Sequence, residues 1–493
     1  MTAMSPPADH SKVFADRSLF GHPKGLGLLF LTEMWERFSY YGMRALLVLY
    51  LVNAQHWTAA RAATLYGNYT MLVFLTPLVG GYLADRLIGT RRSLVIGGSI
   101  IAAGHFTLAL QGETAFYIGL GLIIIGTGFF KANVSTQVGQ IYADGDARRD
   151  AGFTIFYMGI NTGAFLGPIV CGYLAESPDW GWHYGFAAAG VGMVLGLITY
   201  VWGRERYLPG IGMPPVDATA KTSIADGIPA SNPMHAIGGA VVGGVIGFLG
   251  GGWLGLAMGA VIGAALAIAI LGSHGDERRR VFAIFIVAFF VVFFWAAYEQ
   301  AGSSMNLFAD RNTDLTLGGL VSKPIPASWF QSVNPAYILI FSPVFAWIWT
   351  SLGKRGMEPS TAMKMVIGLF LLGTGFLFMV VGAKGADAGN RVSWMWLCSA
   401  YFFHTMGELC LSPIGLSYVT KVSPVRFASL MMGVWFLSNA AANKLAGTIA
   451  AMVEKIPTLT QFYTIFVISS FSAAFLMLLC VPLLKRLTST VKA

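Results

Sequence analysis

Charge is what this chain has least of. Only 11% of its 493 residues are Asp, Glu, Lys or Arg, against about 25% in ordinary soluble domains. With 55% hydrophobic residues and a mean hydropathy of +0.65, that scarcity excludes a soluble fold and predicts an all-α polytopic membrane protein. Cysteine is scarce too. Cys171, Cys398, Cys410 and Cys480 all lie in apolar segments, without metal-ligand spacing or a disulfide framework. Each reads as a small buried hydrophobe. The sequence opens Met1-Thr2-Ala3-Met4-Ser5-Pro6-Pro7, with no basic-then-apolar leader, so the first hydrophobic segment is expected to be the first span itself. The spans carry no His-Glu-x-x-His, no Gly-x-Ser-x-Gly and no paired metal ligands. An intramembrane enzyme is therefore not expected, and neither is a cofactor.

A net charge of +9 raises the question of an anionic partner, and the placement of the basic residues answers it. They cluster in alternate loops: Arg86, Arg91 and Arg92; Arg148 and Arg149; Arg204 and Arg206; Arg278, Arg279 and Arg280; Lys354 and Arg355; Lys421 and Arg426; Lys485 and Arg486. The loops between them are poor in Lys and Arg. This is the positive-inside pattern of a protein threaded through a lipid bilayer, not a nucleic-acid surface. It predicts both termini in the cytoplasm and an even number of spans.

At about 20 apolar residues per span, spans 1 to 6 are expected near residues 25–52, 62–84, 92–111, 115–139, 151–175 and 184–204. A polar stretch from Pro209 to Pro233 reads as a linker. Two Gly- and Ala-rich segments follow, 235–250 and 253–272, free of charge and suited to a close-packed hairpin. Spans 7 to 12 are expected near 279–303, 332–352, 362–382, 393–419, 427–450 and 461–486. The loop Asp85-Arg86-Leu87-Ile88-Gly89-Thr90-Arg91-Arg92 after span 2 has a counterpart after span 8, Gly353-Lys354-Arg355-Gly356. Two six-helix halves with a site between them is the plan of the major facilitator fold. The expected organisation is a six-helix bundle over 1–205, a linker with an inserted hairpin over 206–276, and a second six-helix bundle over 277–493. That makes fourteen spans, twelve of them core.

Span 1 breaks the rule of scarcity. It carries Glu33, Glu36, Arg37 and Arg44 within an otherwise apolar segment. A charge at membrane depth costs on the order of 3 kcal/mol unless it is paired or hydrated. On a helical projection Glu33, Glu36, Arg37, Tyr40, Tyr41 and Arg44 share one arc of about 140°. Leu31, Met34, Trp35 and Phe38 take the opposite side. Such a stripe lines a cavity or forms an internal ion-pair network; buried pairs stabilise poorly, which favours the cavity.

Few other charges lie deep: Lys131 in span 4, Glu299 in span 7, Glu408 in span 10 and Lys444 in span 11. Span direction puts Arg44 and Glu299 at similar depth on the outer side, and Lys131 and Glu408 towards the cytoplasm. Two opposite-sign pairs, each joining the halves, would act as two gates; helix packing is the alternative. Proton coupling needs a buried carboxylate beside a cation, which Glu33 and Glu36 beside Arg37, and Glu408 beside Lys131, supply. His105 reads as a core or lipid-edge residue, while His404, one turn from Glu408, is a candidate for its network. Tyr66, Tyr69, Tyr157, Asn161, Trp295, Asn334 and Trp435 complete a candidate pocket. Asn161 stands out, because a midspan amide needs partners.

These residues resemble one family, the proton-coupled oligopeptide transporters of the major facilitator superfamily. Glu33-x-x-Glu36-Arg37-Phe38 with Tyr40-Tyr41-Gly42 resembles its span 1 motif. Phe156-Tyr157-Met158-Gly159-Ile160-Asn161-Thr162-Gly163 resembles its span 5 signature. Gly126-Thr127-Gly128-Phe129-Phe130-Lys131-Ala132-Asn133 and Gly407-Glu408-Leu409-Cys410-Leu411-Ser412-Pro413 resemble its span 4 and span 10 segments. The likeness runs from span 1 to span 12, and the 235–272 pair resembles the hairpin of bacterial members.

The resemblance implies roles. Arg37 and Lys131 would attract a peptide carboxylate, and Glu408 its free amino group. Asn161 and Asn334 would hydrogen-bond the termini or backbone. Tyr41, Tyr66, Tyr157 and Ser412 would line the cavity, with Trp295 and Trp435 shaping side-chain pockets. Glu33 and Glu36 would couple protons to Arg37. Two departures are visible. Tyr66 is followed by Gly67 where animal members often have His, which shifts the proton burden to span 1. Phe74 precedes Leu75-Thr76-Pro77 where many members have Tyr. The expected function is proton symport of di- and tripeptides by a monomer in a bacterial inner membrane. The rivals are the same fold carrying nitrate or an anionic conjugate, which the cavity carboxylates would repel, and an intramembrane enzyme or receptor.

Overall fold

The computed structural model describes residues 11–143, 145–214, 233–424 and 428–489. Among them the chain is mostly helical, with only isolated bridges at Leu19–His22 and Thr313–Val392. The helices are α1 (Ser11–Ala15), α2 (Lys24–Leu49), α3 (Ala59–Leu83), α4 (Thr90–Leu108), α5 (Glu113–Gln140), α6 (Arg149–Glu176), α7 (Trp182–Tyr207), α8 (Pro233–Leu271), α9 (Gly275–Tyr298), α10 (Ser304–Asn312), α11 (Val333–Lys354), α12 (Thr361–Asp387), α13 (Trp394–Val422), α14 (Ala428–Ala450) and α15 (Leu459–Leu487). The expected spans coincide with these helices to within a few residues. Missing from the sequence reading are α1, α10 and a 3-10 turn over Ala327–Ser332. Most of the predicted linker, and Arg426, lie outside the described residues, as does the side chain of Asp85.

Among the described residues, eight helices are long and apolar enough to cross a membrane, so this is a multi-pass membrane protein. Helix α2 is not one of the eight, because its charged stripe breaks every uninterrupted apolar stretch. Elsewhere local chemistry sets the starts. Thr58, Ser360 and Thr458 each accept the backbone N–H three residues on, at 3.2, 3.3 and 3.2 Å, and so cap α3, α12 and α15.

The chain forms two compact units. The first comprises residues 1–218, 301–340 and 391–398. In it, glycines let helices touch backbone to backbone. On α6, Gly159, Gly163 and Gly167 recur every four residues and receive Phe30, Met34 and Phe38 of α2; an added Cβ at Gly163 would overlap the Met34 carbonyl. On α7, Gly192, Gly196 and Gly203 receive Phe38, Trp35 and Leu28. The apolar back of α2 is therefore packed against protein by small residues on two neighbours, although Leu31 remains exposed. Loop arginines do structural work here. Arg91 holds Glu205 at 3.1 Å and donates to the Leu208 and Ile211 carbonyls at the end of α7. Arg148 pairs with Asp146 at 2.6 Å and donates to the carbonyls of Phe14, Asp16 and Gly21. The Arg148 fork holds the Asp146 carboxyl down at about 2.

The second unit comprises 219–300, 341–390 and 399–493. Its core includes a stack of Phe376 on Phe466, with centroids 4.8 Å apart. Helix α8 folds back on itself: Gly252 takes a φ of +60°, and Gly239, Gly243 and Gly247 meet Gly263, Gly259 and Gly255. This is the predicted hairpin, and it lies beside α9 and α14.

Candidate functional site

With the back of α2 fixed by the glycines of α6 and α7, its polar stripe is held inside the first unit. Glu33, Glu36, Arg37 and Arg44 are 3%, 1%, 4% and 7% exposed. Arg37 Nε lies 2.9 Å from Glu33 Oε1 and 2.5 Å from Glu36 Oε2. One guanidinium nitrogen thus serves two carboxylates. The approach is close in distance and poor in direction, for Arg37 Nε and Glu36 Oε2 form no directed hydrogen bond, and Arg37 Nη2 and Glu33 Oε2 also have no hydrogen-bond partner. A buried donor and acceptor left unfilled cost about 1–3 kcal/mol each, so the cluster favours any ligand that fills them. The Tyr40 ring lies 5.4 Å from the Arg37 guanidinium carbon.

Lys131, on α5, acts electrostatically on both glutamates. Two carboxylates and two cations make the group neutral as a whole, so an incoming proton or anion upsets an even balance. Lys131 Nζ also sits 3.9 Å above the Phe74 ring. The residue that departs from the family pattern is therefore a cation–π partner of the lysine. On α6, Asn161 is 4% exposed and donates to the Tyr157 carbonyl at 2.9 Å. One amide hydrogen is spent within its own helix.

Arg44 lies further along the stripe, among tyrosines. Its Nε donates to the Tyr66 hydroxyl, and its guanidinium lies 5.6 Å from both the Tyr41 and Tyr66 rings. Tyr66, expected to line the pocket, is engaged by Arg44. Gly302 closes on the same hydroxyl, and a Cβ there would overlap it. Tyr69 is buried among Glu36, Tyr40, Tyr66 and Arg44, and its hydroxyl has no hydrogen-bond partner. His105 is not at a lipid edge. It is wholly buried, with Nε2 2.6 Å from Ser39 Oγ on α2.

In the second unit, Glu408 accepts a 2.5 Å hydrogen bond from the Tyr298 hydroxyl. The sequence reading missed Tyr298, although it lies one turn after Trp295 and directly before Glu299. Trp295 packs edge-to-face on Tyr298 at 5.1 Å, and Trp435 is buried. Glu299 is buried beside Gln300, which donates to the carbonyls of Ala296 and Ala446. His404 makes no side-chain hydrogen bond to the Glu408 group. Its ring packs on Phe376 at 4.5 Å and meets Tyr298 at 6.4 Å, and neither ring nitrogen meets a hydrogen-bonding side chain. Another buried cation, Lys364, escaped notice: it pairs with Glu358 and lies 4.5 Å above the Trp349 ring. The side chain of Ser412 lies outside the described residues. The four cysteines are free thiols, and among the described residues no cluster of His, Cys, Asp or Glu suits a metal ion.

Known proteins match this arrangement over nearly the whole chain. The profile described as the POT family matches residues 91–217 and 258–467. An uncharacterized transporter, YclF, of Bacillus subtilis (strain 168) is 41% identical over 96% of this chain and 97% of its own. A di-/tripeptide transporter of Lactococcus lactis subsp. cremoris is 35% identical over 91% and 93%. The crystal structure of a POT family transporter in complex with a thioalcohol-conjugated peptide superposes with a TM-score of 0.82, at 31% identity, over 97% of this chain and 100% of that one. These relatives are transporters, not enzymes, and the charged stripe of α2 sits on their all-helical fold. The chain belongs to the POT family.

Proposed function

We propose that this protein is a proton-coupled symporter that imports di- and tripeptides across a bacterial inner membrane by alternating access. The observation that carries the reading is the shared Arg37, one nitrogen between Glu33 and Glu36 with Nη2 unfilled. A proton arriving on either glutamate removes one negative charge from the neutral group. Its hold on Arg37 weakens, and the guanidinium turns to the peptide carboxylate, a stronger charge-assisted partner. Lys131 adds a second positive charge. The peptide amino group goes to Glu408, whose carboxylate Tyr298 steadies. Asn161, Asn334, Tyr157 and Ser412 serve the termini and backbone, while Trp295 and Trp435 bound the side-chain pockets. A zwitterionic substrate explains why one site needs both signs of charge.

In this reading 1–205 and 277–493 are the two rocking bundles, and the hairpin within 206–276 is peripheral. Arg44 with Glu299 closes the outer side, and Lys131 with Glu408 the inner side. Both termini are cytoplasmic, as the basic loops require, and the working unit is a monomer. The proton is the coupling ion, and no bound cofactor takes part. Relatives named as di-/tripeptide transporters support the substrate class. The deciding experiment is dialanine uptake by proteoliposomes under an imposed inward pH gradient, with nitrate as competitor. Accumulation that collapses with a protonophore and ignores nitrate is expected. Uptake blind to the gradient, or competed by nitrate, would sink the reading.

A further inference from the structure

Residues 301–340 follow Gln300 and lie against α2 and α6. Their attachment to α6 is directional. Glu176, the last residue of α6, accepts the Ala327 N–H through Oε2 at 2.7 Å and the Ser328 N–H through Oε1 at 3.1 Å. These are the opening amides of the 3-10 turn Ala327–Ser332, which have no partner within that turn. The Ser328 hydroxyl fits against Gly172, where a Cβ would overlap it. Trp329 Nε1 donates to the Ile169 carbonyl at 3.0 Å, and Ser332 Oγ to the Phe165 carbonyl at 2.7 Å. Residues 176, 172, 169 and 165 follow one face of α6 at helical spacing. One turn further along that face is Asn161. Two residues beyond Ser332 is Asn334.

We propose that Glu176 is a positioning residue for peptide binding: by clasping the 327–332 turn onto α6 it holds Asn334 at the level of Asn161. Each carboxylate oxygen serves one backbone amide, so the clasp uses the whole side chain. Without it the two amides lose a charged acceptor, and the turn samples positions in which Asn334 is displaced. A ligand must then restore the order when it binds, which weakens apparent affinity and leaves the coupling charges intact. This role rests on the peptide-transport reading.

The test uses the full-length transporter, with hydrogen–deuterium exchange read beside uptake kinetics. In Glu176→Ala the amides of 327–334 should exchange about tenfold faster, as loss of a charged acceptor predicts. The KM for dialanine should rise about threefold or more, with Vmax per folded molecule within about twofold. Glu176→Gln keeps one acceptor oxygen and should fall between Ala and wild type in both readouts. Glu176→Ala with wild-type exchange overturns the clasp. Faster exchange with an unchanged KM, or a loss confined to Vmax, overturns the positioning role. A wild type that takes up no dipeptide overturns the peptide reading and this role with it, whereas transport with an unmoved KM in Glu176→Ala overturns this role alone.

Discussion

Helices α2 and α8 meet the same solvent and manage it in opposite ways. Between Glu33 and Arg44, α2 carries four charged residues, all buried, and Glu33, Glu36 and Arg37 are incompletely satisfied. From Pro233 to Leu271, α8 carries no Asp, Glu, Lys or Arg at all. Its two arms gain contact by bringing Gly239, Gly243 and Gly247 against Gly263, Gly259 and Gly255. Burial of apolar surface separates nothing from lipid in a bilayer, so close backbone contact is what holds such helices together. Helix α2 uses that device too, with Gly42 of its own and more glycines on its neighbour. Gly159, Gly163 and Gly167 belong to α6, and they grip the back of α2 so that its front is free for charge. Small residues thus mark packing in both regions, and polarity sets the front of α2 apart.

The largest effects should come from the polar front. Arg37→Ala leaves two buried carboxylates without their guanidinium, a loss of several kcal/mol by analogy with other broken buried pairs. Dialanine uptake should fall by about a hundredfold or more. Measuring folded yield by size-exclusion chromatography beside uptake separates loss of transport from loss of fold. Near-normal uptake would mean that the front of α2 is packing after all.

Glu36→Gln sharpens the comparison further. It keeps shape and removes the titrating group, so accumulation against a gradient should vanish while counterflow exchange of dialanine persists. Glu33→Gln run alongside assigns the proton, since only the carrier's substitution should abolish uphill uptake. Persisting accumulation in both variants would remove protons from the α2 cluster altogether.

The back of the comparison predicts the reverse pattern. Gly243→Leu places a side chain where the Gly259 carbonyl lies, so the arms of α8 must part. Overpacking of this kind costs about 1–3 kcal/mol. The melting temperature should drop by a few degrees, on the order expected for such a loss in a chain this size, while uptake by the folded fraction stays within about twofold of wild type. A collapse of uptake at intact fold would show that the hairpin is not merely packing.

How far the sequence foretold this depends on the kind of interaction. Charges in hydrocarbon are legible because they are costly, and the Glu33–Arg37 pair at i,i+4 could be read directly from spacing. The helices were legible from length and hydropathy. Contacts that use backbone groups were not. Glu176 clasps two amides, and no pattern of side chains announces such a clasp. Tyr298 serving Glu408, and Ser39 serving His105, join residues far apart in the chain. His404 misled for a related reason. Being one turn from Glu408 on a helix gives proximity, yet the ring packs between Phe376 and Tyr298 and makes no side-chain hydrogen bond.

The smallest expected effect tests where the charged front of α2 ends. Lys131 lies over the Phe74 ring at 3.9 Å, so an apolar residue of α3 shares the lysine that also acts on Glu33 and Glu36. A cation–π contact is worth about 0.5–2 kcal/mol depending on its exposure. Phe74→Leu removes the ring face and keeps an apolar side chain. Lys131 then loses that support, and the KM for dialanine should rise about threefold, the lower part of that energy range. Phe74→Tyr keeps the face, adds a hydroxyl and restores the residue common in the family; its KM should stay within about twofold of wild type. Kinetics at saturating proton gradient resolve both. If Leu matches wild type, Phe74 is ordinary packing and the functional surface stops at the ammonium group. If Leu is impaired and Tyr is not, an apolar ring belongs to the charged site, and polarity alone no longer divides the two faces of this bundle.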